Sequence, residues 1–129
     1  MPPTKVQDRA TLGARGERAA ARFLKRRGFR IVARNYNCPP GEIDIIAEDG
    51  DTLVFVEVKT RATGDRADPE VNVTAFKRRQ IIAAARYFVQ ARRAHDRPCR
   101  FDVVSVVRPQ WWRRAEIEHF PDAFSPTRG

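Results

Sequence analysis

Apolar residues recur at helical spacing near the start of the chain. Between residues 11 and 27 they follow the period of an amphipathic α-helix; these residues are Leu12, Ala19, Ala20, Phe23 and Leu24. Gly28 follows directly, and glycine is the residue that most often ends a helix. We therefore predict a first helix over residues 11–27, preceded by a mobile arm over the polar, proline-containing residues 1–10.

Short β-compatible segments follow this helix. Residues 30–35 form the first of them, and the breaker sequence NCPPG at residues 37–41 separates it from two longer segments. Those segments cover residues 42–48 and 52–61 and flank a turn that contains an Asp-Gly-Asp sequence. A glycine-containing turn between two apolar runs predicts an antiparallel hairpin.

A second helix and two more strands complete the pattern. Thr74 is a suitable N-cap for a helix that runs to residue 93. Its apolar side is predicted to carry Phe76, Ile81, Ala84, Ala85, Phe88 and Val89, and its opposite face Lys77, Arg78, Arg86 and Arg93. The β-branched run at residues 100–107 predicts a strand covered on both faces, and residues 115–120 a last strand. The order αβββαββ predicts an α/β fold with a mixed central sheet flanked by helices.

The composition is that of one basic domain, which we place at residues 11–124 with a short tail at residues 125–129. A chain of 129 residues, 42% of them hydrophobic, is long enough for one continuous core. Lysine and arginine number 25 against 16 aspartate and glutamate, a formal net charge of +9. Such an excess is typical of proteins that bind polyanions, with nucleic acid the leading candidate, although an arginine-rich proteome would give the same excess.

Neither the cysteines nor the apolar segments indicate secretion or a membrane. Cys38 and Cys99 lack the spacing of metal ligands and are expected to be reduced thiols. No stretch approaches the ~20 apolar residues of a membrane span, and residues 1–17 lack the apolar centre of a signal peptide. We expect a cytoplasmic protein.

The predicted hairpin carries the most distinctive chemistry. Glu57 and Lys59 share one face of its second strand, because side chains alternate along a strand. With Asp49-Gly50 as the two-residue loop, Asp44 lies diagonal to Glu57; with Gly50-Asp51 it lies directly opposite. Either register brings two carboxylates together beside an ammonium group, which can hold a divalent metal ion and a water beside a phosphate. The alternative is a ladder of surface salt bridges.

At these residues the chain resembles the PD-(D/E)XK superfamily of restriction-endonuclease-like nucleases. Their core is αβββαβ, with an aspartate on one strand and Glu-x-Lys on the next. More closely, the chain is similar to the YraN-like family of bacterial proteins, whose biochemical activity is uncharacterised. The shared motifs are Gly-x-x-Gly-Glu at 13–17, Arg34-Asn35, Gly-Glu-Ile-Asp at 41–44, Phe-Val-Glu-Val-Lys-Thr-Arg at 55–61, Lys77 and Arg-Phe-Asp-Val-Val at 100–104. One departure is Ile43, which stands where the superfamily name has proline.

The resemblance implies a metal-dependent active site. Asp44 is expected to be the bridging ligand of Mg²⁺ or Mn²⁺, Glu57 the second side-chain ligand and the Val58 carbonyl a further ligand. Lys59 would orient or deprotonate the attacking water, or stabilise charge on the phosphate. We favour the electrostatic role, because neighbouring carboxylates oppose the loss of its proton.

Glu17 and Arg18 resemble a helix-borne Glu-Arg pair of archaeal Holliday-junction resolvases. This resemblance implies that Glu17 is a catalytic residue and metal ligand, direct or through water, and that Arg18 contacts nucleic acid. The alternative is that Glu17 only pairs with Arg15, Arg18 or a residue across the helix surface.

Further basic residues are candidate contacts to phosphates. Lys77 resembles the helix-borne residue of the family that faces the site, the alternative being a solvated helix face. The other candidates are Arg34, Arg61, Arg78 and Arg86.

Several other polar and aromatic residues are less informative. For Asp102 we favour a buried structural role, paired with Arg100 or a helix residue, over a catalytic one. Trp111 and Trp112 either stack on bases or cover a sheet end or interface. The turn-forming residues 62–72 could act as a flap beside Lys59, and the histidines, His95 and His119, have no visible partner.

These features predict a metal-dependent nuclease that hydrolyses DNA, with structured or branched DNA among the candidate substrates. DNA is favoured over RNA, although phosphate-facing arginines bind both and no RNA-reading aromatic motif is visible. One alternative is a non-catalytic nucleic-acid-binding protein on a nuclease fold. Another is a cytosolic adaptor that uses the tryptophan pair and residues 121–129. Homodimerisation is left open.

Overall fold

The computed structural model describes residues 5–62, 73–108 and 114–126. It contains two helices and five strands. In chain order they are α1 (Lys5–Arg26), β1 (Arg30–Cys38), β2 (Gly41–Asp49), β3 (Thr52–Ala62), α2 (Ala75–Ala91), β4 (Cys99–Arg108) and β5 (Glu116–Phe124). This is the predicted order αβββαββ.

The five strands form one mixed sheet in the order β1-β2-β3-β4-β5. Neighbouring strands are antiparallel except β3 and β4, which run parallel. A parallel pair needs a crossover connection, and α2 lies in that connection. The mixed α/β architecture agrees with a restriction-endonuclease-like core, as predicted.

One helix covers each face of the sheet. On the α1 side, Leu24 packs with residues such as Val56 and Val104. On the α2 side, Phe88 packs with residues such as Phe55. Residues 101–106 of β4 are buried without interruption, because both faces of this central strand are covered.

Local signals at the helix ends act as predicted. Gly28, with φ of +93°, follows α1, and the Thr74 hydroxyl accepts a hydrogen bond of 3.1 Å from the Lys77 amide at the start of α2.

Two predictions about the helices are wrong. The first helix begins at Lys5, so residues 5–10 are helical rather than part of an arm; they contain neither glycine nor proline and consist largely of good helix formers. Phe76 is 63% exposed, although it was assigned to the apolar side of α2. At 100° per residue it lies about 140° from Ile81, away from the buried stripe.

A glycine allows α1 to approach the sheet closely. A side chain at Gly16 would collide with the hydroxyl and methyl groups of Thr60 on β3. The Gly-x-x-Gly-Glu motif therefore has a packing role: it brings the next residue, Glu17, down onto the sheet.

The β2–β3 turn has the second of the two predicted registers. Asp49 pairs with Thr52, so the loop is Gly50-Asp51. Gly50 has φ of +61°, which suits a glycine at the first position of a two-residue hairpin loop. Extended by one residue, this register places Asp44 opposite Glu57.

Candidate active site

Strands β2 and β3 separate before they end. Their last paired residues are Ile45 and Val56. Beyond this point β2 stays with β1 as far as Gly41, while β3 stays with β4 as far as Ala62. The region where the two strands diverge is called the β2–β3 fork below. Asp44 is the first residue of β2 beyond the last pair.

The Asp44 carboxylate bridges this fork. Its Oδ2 atom accepts a hydrogen bond of 2.8 Å from the main-chain N–H of Val58 on β3. That N–H lies beyond the paired part of the β2–β3 ladder, and the carboxylate takes the place of the missing carbonyl partner. One oxygen of Asp44 is thereby held next to Glu57.

Strands β1 and β2 are both irregular near Asp44. Ile43 packs in the core on the α2 side and Ile45 in the core on the α1 side, although residues two apart on a strand normally share a face. Asn35, which the β1–β2 register places opposite Asp44, has φ of +52°. The regular alternation of side chains is therefore broken at the site.

Glu57 is the buried carboxylate of the site. It is only 6% exposed, and its Oε2 atom lies 3.9 Å from Nζ of Lys59. Burial, followed by the charge of Asp44, raises the pKa of Glu57 from 4.5 to about 8, against the opposing charges of Lys77 and Lys59. A hydrogen bond shared with Asp44 adds to this rise. At neutral pH Glu57 therefore retains its proton, next to Asp44.

Two ammonium groups from different elements act on Glu57. Lys59 comes from β3, two residues further along the same face. Lys77 comes from the first turn of α2 and lies close enough to lower the pKa of Glu57. The structure thus brings Asp44, Glu57, Lys59 and Lys77 together, as the sequence predicts.

Glu17 approaches the same region from α1. With the amide of Asn35 oriented to satisfy both side chains, its nitrogen lies 2.6 and 3.1 Å from the two carboxylate oxygens of Glu17. Burial and then the charge of Asp44 raise the pKa of Glu17, whereas Arg34 lowers it. The partner of Glu17 is therefore a strand residue rather than an arginine on its own helix.

The sequence pattern does not reveal Asn35 as a site residue. It appears there only within a shared Arg-Asn motif, with no role assigned. A usable signal was present, because asparagine is disfavoured in strands but tolerates positive φ. An asparagine inside a β-compatible segment therefore marks a position where the backbone departs from the strand.

The carboxylates at the fork could supply only some of the ligands of a hard divalent cation. Asp44 and Glu57 offer carboxylate oxygens, which Mg²⁺ and Mn²⁺ prefer, and the raised pKa of Glu57 shows that the nearby positive charge does not offset its burial beside Asp44. Within the described ranges, no three Asp, Glu, His or Cys side chains converge closely enough to hold one ion. The role of Glu17 as a ligand, direct or through water, stays a prediction. An ion here would keep several water or phosphate ligands, as Mg²⁺ commonly does.

The remaining parts of the predicted site are Val58 and the arginines predicted to contact phosphates. Val58 contributes its N–H to the site, while the ligand role of its carbonyl stays a prediction. The predicted phosphate contacts Arg18, Arg34 and Arg86 are exposed. Arg61 is buried, and Arg78 donates from Nε to the Val73 carbonyl at 2.9 Å, so both are engaged within the protein.

A second buried carboxylate lies on β4. Asp102 is fully buried and accepts hydrogen bonds of 2.9 Å from Nε and Nη2 of Arg100, 2.7 Å from His119 and 2.9 Å from the Asp122 amide. An ionised carboxylate only accepts, so His119 carries its proton on Nε2. These four residues are called the Asp102 cluster below.

The structural role predicted for Asp102 is confirmed by this cluster. His119, which has no visible partner in the sequence, is one of its members. The two cysteines, Cys38 and Cys99, are free thiols. The tryptophan pair and residues 63–72 lie outside the described residues. In the part of the chain that the structure describes, no helix is long and apolar enough to cross a membrane.

Comparison with known proteins identifies a family whose model matches most of the chain. The model of the uncharacterised protein family UPF0102 matches residues 16–106, a segment that includes the whole β2–β3 fork, Glu17, Asn35 and Lys77. The UPF0102 protein of Geotalea daltonii is 49% identical over 117 residues, covering 91% of each chain. Those of Geobacter metallireducens and Nitratidesulfovibrio vulgaris strain DP4 are 46% and 47% identical, over 88% and 95% of this chain and 92% and 90% of theirs.

The fold and the arrangement of carboxylates define an α/β protein with a restriction-endonuclease-like core. The chain belongs to the UPF0102 family, and the resemblance to YraN-like proteins is thereby confirmed.

Proposed function

We propose that this protein is a metal-dependent nuclease that hydrolyses DNA phosphodiester bonds at the β2–β3 fork. The observation that carries the proposal is the confinement of Asp44 and Glu57 beside Lys59, with Glu57 buried and its pKa raised despite the nearby ammonium groups. Perturbed acids gathered at one point of a fold are typical of catalytic sites. The basic character of the chain, with a net charge of +9, suits a nucleic-acid substrate.

The two acids would hold Mg²⁺ or Mn²⁺. Such an ion supplies positive charge to the phosphate and acidity to a water molecule when it is bound. The Val58 amide keeps one oxygen of Asp44 in place, so the carboxylate is already oriented. Glu57 is held by the buried strand on which it lies.

The cationic side chains would stabilise the charge that develops during cleavage. Lys59 is partly exposed and stands beside the acids, where it can orient the attacking water or neutralise the phosphate. Lys77 adds a second ammonium group at the N-terminus of α2, where the helix dipole also favours an anion. Glu17, held by Asn35, can accept a hydrogen bond from water near Asp44.

Cleavage assays test this proposal directly. Single-stranded, duplex, flap and four-way-junction DNA are each incubated with purified protein and Mg²⁺ or Mn²⁺. Structured or branched substrates are included because Glu17 and Arg18 resemble the pair found in junction resolvases. We expect cleavage of at least one substrate, reduced at least about 10²–10³-fold in Asp44→Asn and in Glu57→Gln. Asp51→Asn is the matched control, an exposed acid at the far end of the same hairpin.

A metal titration tests the site without a substrate. Mn²⁺ is expected to raise the melting temperature of the wild type and of Asp51→Asn, but not of Asp44→Asn. Protein that binds DNA, cleaves none of the four substrates with either ion and shows no Mn²⁺-linked stabilisation would overturn the proposal. A non-catalytic binding protein would differ already in the wild type, which would bind DNA without any Mn²⁺-linked stabilisation, and neutralising Asp44 would keep or raise its DNA affinity.

A further inference from the structure

A pocket lined by arginines lies between α1 and the start of β5. Its volume is about 380 Å³, and its lining residues are Ala19, Arg22, Phe23, Arg26, Arg114, Ala115 and Ile117. The three guanidinium groups supply the polar part of the lining, and the remaining residues form an apolar floor. This cavity is called the α1–β5 pocket below.

Among the described residues, no acid balances the positive charge of this pocket, since none of its lining side chains is acidic. The side chains of its three arginines make no hydrogen bond or ion pair with any residue in the described ranges. Glu116 and Glu118 are close in sequence, but alternation along β5 directs them to the opposite face from Ile117, which packs on the α1 side.

Some arginines elsewhere in the protein are paired with acids. Arg97 lies 2.7 Å from Glu48, and Arg100 lies 3.1 Å from Asp49 and 2.9 Å from Asp102. Three like charges around one cavity repel each other, and a bound anion would relieve that repulsion. Guanidinium groups bind phosphate particularly well, because their N–H donors match its oxygens two at a time.

The outer face of α1 extends this charge beyond the pocket. Arg15 and Arg18 precede Arg22 and Arg26 at spacings of three and four residues, which places all four on one exposed stripe. At 1.5 Å per residue the stripe is about 16 Å long. One strand of nucleic acid places about four or five phosphates along that length, at 3.4 Å each. A single phosphate would need only the pocket, whereas the stripe suits a polymer.

We propose that the α1–β5 pocket and the arginine stripe of α1 form a second contact surface for the nucleic-acid backbone. It is separate from the β2–β3 fork, because Glu17 turns toward Asn35 on the sheet while the stripe faces solvent. A strand that occupies both must pass around α1. The surface holds phosphates without reading sequence. The inference rests on the proposed function for the polymer involved, but the binding itself needs neither metal nor cleavage.

Fluorescence anisotropy with a short labelled DNA duplex in EDTA tests this surface. The pocket variant combines Arg22→Gln, Arg26→Gln and Arg114→Gln. The matched control removes the same charge from exposed positions on and just beyond α2 through Arg79→Gln, Arg92→Gln and Arg93→Gln. We expect the pocket variant to bind about tenfold or more weakly, and its log–log salt slope to fall by about 2–3, since each lost phosphate contact removes about 0.9. The control should change both quantities much less.

Three outcomes would overturn the inference. The first is unchanged affinity and salt slope in the pocket variant. The second is an equal loss of affinity in the control variant, which would show that binding depends on net charge alone. The third is loss of binding to anionic phospholipid vesicles with DNA affinity intact, which would assign the pocket to a membrane surface. An unchanged melting temperature shows that the pocket variant is folded.

Failure of this inference and failure of the proposed function are separable. The pocket variant should keep the Mn²⁺-linked stabilisation of the wild type, because its substitutions do not touch the fork. Asp44→Asn should keep its DNA affinity in EDTA while losing that stabilisation.

Discussion

The β2–β3 fork and the Asp102 cluster share one hydrogen-bonding arrangement, but the pKa values of their buried acids are shifted in opposite directions. Each places an aspartate where a strand ladder is interrupted, and each aspartate accepts a main-chain N–H across the gap. Asp44 accepts from Val58 at 2.8 Å where β2 and β3 separate. Asp102 accepts from Asp122 at 2.9 Å where the β4–β5 register shifts.

The surrounding charges differ between the two places. Burial alone raises the pKa of Asp102, but hydrogen bonds from His119, Arg100 and the Asp122 amide outweigh it and hold the pKa below its usual value. Glu57 at the fork has Asp44 beside it, and its pKa rises to about 8. The chain can thus neutralise a buried acid completely, and at the fork it does not. That difference distinguishes a structural pair from the place where we propose that a metal ion binds.

Removal of the Asp102 charge should have the largest effect on stability. Asp102→Asn leaves the Arg100 guanidinium beside a neutral amide inside the cluster, and loss of one partner of a buried pair costs about 3–5 kcal/mol. Urea denaturation measures the change in the free energy of unfolding. Asp44→Asn should lose far less, and equal losses would remove the distinction between the two regions.

A side chain at Gly16 should have the next largest effect. Gly16→Ala forces α1 away from Thr60, and overpacking of this kind costs about 1–3 kcal/mol. The same displacement moves Glu17 from the fork. Thr60→Ala removes the two nearest colliding atoms and should recover part of the lost stability. Absence of any recovery in the double variant, again by urea denaturation, would contradict this close contact.

Stability should fall with rising pH because of Glu57. Its folded pKa lies above the unfolded value of 4.5, so the folded state retains a proton that the unfolded state releases. The free energy of unfolding of the metal-free protein should therefore decrease from about pH 4.5 to pH 8, by at most about 1.4 kcal/mol per pH unit. Glu57→Gln should flatten this decline. A wild-type profile that matches that of Glu57→Gln would show that Glu57 titrates normally.

The same proton predicts how metal affinity depends on pH. An ion that binds to Asp44 and Glu57 must displace it, so Mn²⁺ affinity should rise up to about tenfold per pH unit below pH 8 and level off above it. Calorimetry in buffers of different ionisation enthalpy measures both the affinity and the proton released. A pH-independent affinity would place the ion elsewhere.

Loss of Lys59 should have the smallest effect on stability. Its ammonium group lies 3.9 Å from Glu57 and is partly exposed, and pairs of this kind contribute about 0–1 kcal/mol. Lys59→Met should therefore change the free energy of unfolding little while it lowers cleavage by about 10²-fold or more. A large loss of stability with cleavage intact would make Lys59 a structural residue.

The order of the helices and strands and the residues of the hairpin site follow from local patterns in the sequence. Helical and strand periods, the Thr74 cap and Gly28 are local signals, and local chemistry is enough to interpret them. Glu57 and Lys59 share a face because strands alternate, wherever the strand lies in the fold. The sequence left two registers for the hairpin, and the structure decided for the Gly50-Asp51 loop.

The point where the strands separate and the contacts between polar groups depend on how the chain packs in three dimensions. The pairing of Glu17 with Asn35 joins a helix to a strand, and that of Asp102 with His119 joins residues 17 positions apart. No local period encodes such contacts, because they depend on how the helices pack against the sheet. The exposure of Phe76 could not be predicted for the same reason, because the hydrophobicity of a residue does not show which side of a helix packs against the sheet. The sequence thus supplied the acids, and the fold buried Glu57 beside Asp44 at the β2–β3 fork, where the nearby ammonium groups do not offset the rise of its pKa.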